Sequence, residues 1–320
     1  MVKWTASTFP DVRLTFGSDY IKVNRSAVSE NCSYFLELFN ANLTQVGGTP
    51  AFDKVVCFDP ATLKMTQETV TIKERRCHAS NKIGNTVLVY GGDNKGGILD
   101  DMEILNLETM ETFDTSCKML IPRKWFGSAC VNEKIYAIGG KIKGYSDLAS
   151  VERYDPEKNE WYQDAPIPVA SCGFNGLAQD QVIYLTPGSE TKHLMRFDPR
   201  ENHWDRLTQF IVPRFYSTFV SNSEEIYICG GYSDKIHTRV SVYDIRANSL
   251  RVAKDMPVGV CLAHGTLHQN KIFVLGGSNI VNFSLVDTQA TWCYDIKKDE
   301  WSELESSLPF EMSSYSITHI

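Results

Sequence analysis

Lys134–Trp161 reads KIYAIGGKIKGYSDLASVERYDPEKNEW, and three landmarks in it decide the fold. A short β-type run, Ile135-Tyr136-Ala137-Ile138, ends in Gly139-Gly140. A second run ends in Tyr154-Asp155, and a third opens at Trp161. Between the last two, Pro156-Glu157-Lys158-Asn159 has turn chemistry: Pro presets φ, while Asp and Asn side chains bond their own backbone. Gly127 to Val131, just upstream, is a further short apolar-alternating run. The unit therefore reads as four short antiparallel strands.

The same unit recurs. Diglycines stand at Gly47-Gly48, Gly91-Gly92, Gly139-Gly140, Gly230-Gly231 and Gly276-Gly277, spaced 44, 48 and 46 residues where neighbours can be compared. One member is missing near residue 188, where Thr186-Pro187-Gly188 stands. The aromatic or apolar landmark that follows is Phe58, Leu105, Tyr154, Phe197, Tyr243 or Tyr294. Its partner lies seven residues on, eight in one unit: Met65, Phe113, Trp161, Trp204, Leu250 or Trp301. Four strands per unit of 40–50 residues, repeated around an axis, make a β-propeller. The glycines allow close backbone approach, and the paired aromatics supply apolar area between blades.

This pattern resembles the kelch repeat and covers residues 41–320. Five whole units and one divided unit predict an all-β, six-bladed kelch propeller. In that reading Ser313–Ile320 supplies the inner strand of the sixth blade, and residues 42–70 supply the other three, including Leu43–Gly48. Joining the two ends removes exposed strand edges.

Residues 1–40 resemble the opening of a BTB domain through Asp11, Val12, Leu14, Arg25, Ser33, Tyr34 and Phe35. Asn24 and Val28 depart from its usual His and Leu. Asp11–Phe16 and Tyr20–Val23 read as a hairpin around Gly17-Ser18-Asp19, and Ser29 caps an expected helix through Phe39. The chain is thus expected to carry a short α+β BTB remnant with no BACK domain. In the BTB–kelch family, BTB dimerises and docks a cullin scaffold while the propeller captures substrates for ubiquitin transfer. With only about the first third of the BTB pattern present, cullin docking stays open.

Composition limits the partners. The chain of 320 residues is 42% apolar and 22% charged with a net charge of −7, which suits a folded protein and disfavours nucleic acid as the main partner. No stretch reaches the length of a membrane span, and Met1 to Asp11 has no signal-type apolar region, so a cytoplasmic protein is expected. Asn24, Asn31, Asn42 and Asn282 fall in N-x-S/T triplets, read as chance matches. The nine cysteines are scattered with no C-x-x-C pair, which fits reduced buried thiols.

No enzymatic constellation stands out. G-x-S-x-G, H-E-x-x-H, Walker and G-x-G-x-x-G patterns are missing, as is the sialidase Asp-box, and the copper-oxidase Tyr/Cys/His site cannot be placed. His264 and His268 are four apart, but on a strand that is not a ligand face. No enzyme activity, cofactor or metal is expected.

Family resemblance places binding on the loops after each diglycine and those leading into each blade. Arg75-Arg76, Arg123 and Arg214 occupy similar lead-in positions and are expected to converge on one rim, suited to an acidic peptide. Trp125, Phe215 and Tyr216 lie beside them. Asp93, Lys141, Tyr232, Ser278 and Asn279 follow the diglycines, and the long fifth-unit loop adds Ile280, Val281, Phe283, Leu285 and Val286. The third unit, lacking its diglycine, should leave a notch. Two partner classes stay open: a substrate peptide delivered to a ubiquitin ligase, or the actin cytoskeleton.

Overall fold

The computed structural model describes backbone strands at residues 5–6, 11–16, 19–24 and 35–38, then residues 55–319 apart from 69, 71, 145, 282–283, 306–307, 310 and 312. Five four-stranded antiparallel sheets follow one another along the chain. Their inner strands are Ala79–Ile83, Gly127–Val131, Gly176–Gln179, Thr218–Ser221 and His264–His268. In the second blade the order is Gly127–Val131, Lys134–Ile138, Val151–Asp155, Glu160–Asp164, with each strand paired to the next.

Strand chemistry follows position. Second strands such as Thr86–Tyr90 and Lys134–Ile138 are buried along nearly their whole length, which explains their unbroken apolar runs. Outermost strands such as Glu111–Lys118 are largely exposed and polar. The two aromatic landmarks face each other across the outer hairpin: Tyr154 opposite Trp161, Phe197 opposite Trp204, Tyr294 opposite Trp301. Tyr243 stands opposite Leu250 in the same way. The unit with eight-residue spacing breaks the rule, since Phe113 pairs with Ile104 and is 51% exposed.

These landmarks form the seams between blades. Tyr90 of the first blade lies 5.4 Å from Trp161 of the second, which in turn lies 5.4 Å from Tyr154. Phe197 and Trp204 stack at 4.7 Å within a cluster that also holds Tyr136 and Ile138 of the preceding blade. Each large apolar side chain so buried stabilises the fold by roughly 1.5–3 kcal/mol.

The diglycines hold the blades together through the backbone. Gly140 has φ of +99°, and a Cβ there would lie 2.7 Å from the Lys124 carbonyl oxygen. Its amide donates to Ser171 of the next blade at 3.0 Å, as Gly92 does to Arg123 at 2.8 Å. Only glycine permits that approach.

The expectation of six blades preceded by an α+β remnant is corrected. Five blades, not six, are built to the repeat's contiguous plan. Beside them a composite sheet runs Ser316–His319, Phe35–Leu38, Val55–Asp59, Lys64–Glu68 and joins the two ends of the chain. Leu43–Gly48 lies outside the described residues, and the strand next to Val55–Asp59 is Phe35–Leu38. That segment was expected to be helical. No helix occurs among the described residues. The physical reason is the demand of strand edges: Val55–Asp59 and Ser316–His319 each need a partner for their amides and carbonyls, and Phe35–Leu38 pairs with both. The hairpin Asp11–Phe16/Asp19–Asn24 is present, with Thr5–Ala6 added along its edge. No helix of the described residues is long and apolar enough to cross a membrane.

Candidate functional site: the mouth of the propeller

Each blade is entered by a lead-in segment that crosses one face of the ring. At the same step of every lead-in the chain turns through positive φ: Cys77 (55°), Trp125 (54°), Gly173 (75°), Tyr216 (57°), Leu262 (56°) and, ahead of the closing strand, Ser314 (59°). These residues bond to one another in a closed circle. Cys77 donates to Ser314 at 2.8 Å, Ser314 to Leu262 at 3.2 Å and Leu262 to Tyr216 at 3.0 Å. The circle continues from Tyr216 to Gly173 at 2.9 Å, Gly173 to Trp125 at 2.8 Å and Trp125 to Cys77 at 3.1 Å. A non-glycine residue at positive φ costs roughly 1–3 kcal/mol, so the mouth keeps bulky side chains at positions where glycine would be easier.

The preceding residue of each lead-in pairs with the residue after its own blade's diglycine. Arg76 bridges Asp93, Lys124 bridges Lys141, Phe215 bridges Tyr232 and Cys261 bridges Ser278. The two loop families expected at the rim are therefore one structure, joined by reciprocal backbone bonds of 2.7–3.1 Å.

The arginine rim is corrected. Arg75 and Arg123 are fully buried and Arg214 is 2% exposed. Each points back into its own blade and donates to the carbonyl of the first glycine of the pair: Arg75 to Gly91, Arg123 to Gly139 and Arg214 to Gly230, all at 3.0 Å. Arg75 also meets Glu103 at 2.8 Å, and Arg123 meets Glu152. Arg214 has Ser241 in the corresponding place, at 2.8 Å, and no carboxylate partner among the described residues. Burial pulls the Arg214 guanidinium down to about 10. In the fifth blade both positions are apolar, Val260 and Trp292. Such arginines brace loops rather than receive a ligand, because a guanidinium leaves water only for fixed oxygen partners.

Arg76, Lys124 and Lys141 are paired across the rim. Asp93, 6% exposed, lies between Arg76 at 3.1 Å and Lys124 at 2.7 Å. Lys141 meets Asp147 at 2.8 Å. Asp93 and the fully buried Ser278, which donates to Asp287 at 2.6 Å, are not open contact positions.

What is presented is aromatic. Trp125 and Tyr216 meet edge-on at 6.0 Å across Gly173, whose missing side chain leaves room for them. Phe215 lies 4.9 Å from Tyr216 and 5.5 Å from Tyr232. Lys124 lies 4.4 Å above the Trp125 ring. All four aromatics are half-buried. Trp125, Phe215 and Tyr232 were legible in the sequence as candidates. The ring positions Cys77, Gly173, Leu262 and Ser314 were missed, although residues two beyond Arg75, Arg123 and Arg214 would have pointed to three of the six.

The long loop of the fifth blade is a hairpin, Ser278–Val281 with Ser284–Asp287, in which Ile280 stands opposite Leu285. Ile280, Leu285 and Val286 are 46%, 45% and 38% exposed. Asn279 is half-buried, and Phe283 lies outside the described residues. In the third blade Pro187 and Gly188 are buried where a second glycine would stand.

Below the mouth, His264 packs on Tyr315 at 5.1 Å, and burial lowers its imidazole to about 4. The unfolded chain takes up a proton near pH 6.5 while the folded one does not. Stability is therefore expected to be complete above that pH and to fall progressively toward pH 4, by at most about 3 kcal/mol. Urea titrations from pH 7.5 to 4.5 check this, and His264→Gln should flatten the part of the slope it causes.

A kelch motif matches residues 122–168, the second blade with its lead-in. The chain thus carries a kelch motif within its repeated blades. It is 23% identical over 303 residues to Kelch-like protein 25 of Xenopus tropicalis, covering 90% of this chain and 50% of that one. It is 28% identical over 254 residues to Beta-scruin of Limulus polyphemus, covering 71% and 27%. The solved structure of YjhT superposes with a TM-score of 0.66 at 14% identity, over 76% of this chain and 87% of that one, which speaks for the fold alone. The chain spans half or less of the length of these curated relatives.

Proposed function

We propose that this kelch propeller is a protein-binding module whose partner seats on the aromatic row Trp125, Tyr216, Phe215 and Tyr232. The observation that carries the reading is the pair Trp125 and Tyr216. Both occupy positive-φ positions of the mouth circle, where a bulky side chain strains the backbone and glycine does not, as at Gly173. Half-buried aromatics of this kind are the usual anchors of interfaces. With Arg123 and Arg214 braced inside their blades, the partner's anchor is an apolar or aromatic side chain rather than a carboxylate. The rim pairs around Asp93 and Asp147 then set its orientation.

Similarity to Kelch-like proteins supports a finer reading, in which the partner is a substrate presented to a cullin-RING ubiquitin ligase. A cytoskeletal partner such as actin is the other. Affinity purification of the chain beside Trp125→Ala and Tyr232→Ala variants, read by quantitative mass spectrometry, separates these. Partners held at the mouth should fall about tenfold or more in the Trp125 variant, matching a hot-spot loss of about 2 kcal/mol. A co-purifying cullin would favour the ligase reading, and co-sedimentation with filaments the cytoskeletal one. Equal recovery of all partners by every variant would remove the mouth from consideration.

A further inference from the structure

All six residues of the mouth circle line one depression of about 50 Å³, which places it at the centre of the mouth. Phe126, Phe174 and Tyr315, each buried, line it where the inner strands begin. Further in lies the central channel of about 430 Å³, lined by Ser80, Ser128, Asn175, Ser221, His264 and Thr318. There Ser80 and Thr318 share a bond of 2.8 Å, and Ser128 donates to Asn81 at 2.5 Å, so the depression gives way to hydroxyl groups.

Size, charge and hydrogen bonding together select what the depression can hold. It is far below the roughly 300–1,000 Å³ of small-molecule sites. One water needs about 10–15 Å³, so there is room for about three or four carbon atoms. No Asp, Glu, Lys or Arg lines it. Burial lowers the His264 imidazole to about 4 and raises the Cys77 thiol to about 12, so neither is charged at neutral pH. The amides and carbonyls of all six circle residues are spent on one another. Asn175 donates to the Ser217 carbonyl at 2.5 Å, and the Tyr315 hydroxyl to the Leu275 carbonyl at 2.5 Å. A charged group entering here would lose its water without gaining partners, whereas an aliphatic one loses nothing.

We propose that a partner docked at the mouth plugs this depression with one short aliphatic side chain, Val, Leu or Pro in size. The plug rests on the reading of the mouth as the binding face. It narrows the partner's anchor there to an uncharged group of about three or four carbons, too small a space for an aromatic ring.

The probe is a phage-displayed library of random linear peptides, selected on the whole chain and counter-selected on Trp125→Ala. Peptides that depend on Trp125 are expected to share one Val, Leu or Pro position. Changing that residue to Ala should weaken binding about tenfold, as the loss of two or three buried carbons requires. Changing it to Phe, Lys or Glu should weaken binding at least as much. Leu262→Phe fills the depression and should weaken the same peptides about tenfold. Leu262→Ala enlarges it and should shift preference several-fold toward the Phe-substituted peptide. Thermal melts check that both variants fold, and the peptide substitutions read the same preference on the unaltered protein. Trp125-dependent peptides anchored by an acidic, cationic or aromatic side chain would overturn the plug and leave the mouth as the binding face. Binding undiminished in a folded Leu262→Phe protein would do the same. Selected peptides that bind Trp125→Ala as well as the unaltered chain, or no enrichment at all, would overturn both readings.

Discussion

Glu152→Gln should lower the stability of this propeller by about 3–5 kcal/mol, read from the urea midpoint at unchanged slope. The substitution keeps the side chain's shape but leaves the guanidinium of Arg123, fully buried, without its counter-charge. Glu152 also accepts the Leu120 amide at 2.8 Å, so the same change loosens the lead-in that Arg123 braces. Charge reversal at Arg123, which the sequence alone would suggest as a binding test, is expected to unfold the second blade by placing two carboxylates together. The repeat supplies an internal control of opposite sign. Ser241 occupies in the fourth blade the place of Glu103 and Glu152, and Arg214 lies beside it with burial opposing its charge. Ser241→Glu should therefore gain about 1 kcal/mol, within the range of ordinary stabilising substitutions. A loss in that variant, or a change below about 1 kcal/mol for Glu152→Gln, would show that the buried charges are compensated by other means.

Truncation ahead of Ser313 should have a still larger effect, removing most or all of the cooperative stability, which for domains of this kind is on the order of 5–15 kcal/mol. Ser314 completes the mouth circle through bonds to Cys77 and Leu262. Tyr315, 1% exposed, receives the His264 amide at 3.1 Å and donates to the Leu275 carbonyl at 2.5 Å. Ser316–His319 lies between the first and fifth inner strands and pairs with Phe35–Leu38. Its loss opens strand edges on both sides, and such edges promote association. Calorimetry and size-exclusion chromatography should show a broad, early transition and aggregates. A sharp, monomeric transition near the full-length Tm would mean that the ring does not depend on this strand. Tyr315→Ala is the milder form, expected to cost about 3–5 kcal/mol.

The sequence by itself determined the repeating unit. Diglycine, aromatic and Trp landmarks are local signals, and strand runs of Val, Ile and Tyr bounded by turn residues depend on chemistry within one blade. The facing pairs Tyr154/Trp161 and Tyr294/Trp301 were legible for the same reason, since seven residues around a turn fix the register. The aromatic candidates Trp125, Phe215 and Tyr232 followed from residue type and position in the unit.

What tertiary structure decided is how those units use their partners. An arginine two residues before a mouth position reads as a rim contact until the carbonyls of Gly91, Gly139 and Gly230 are seen converging on it, and those carbonyls are oriented only by the glycines' positive φ. Phe35–Leu38 fits a helix by its spacing, yet two strand edges far apart in sequence require it as a strand. Local propensity is a weak preference of tenths of a kcal/mol per residue, and unpaired backbone groups at a sheet edge outweigh it. The channel is wholly a product of the ring, because Ser80, Asn175 and Thr318, far apart in sequence, share one cavity only when the ring closes.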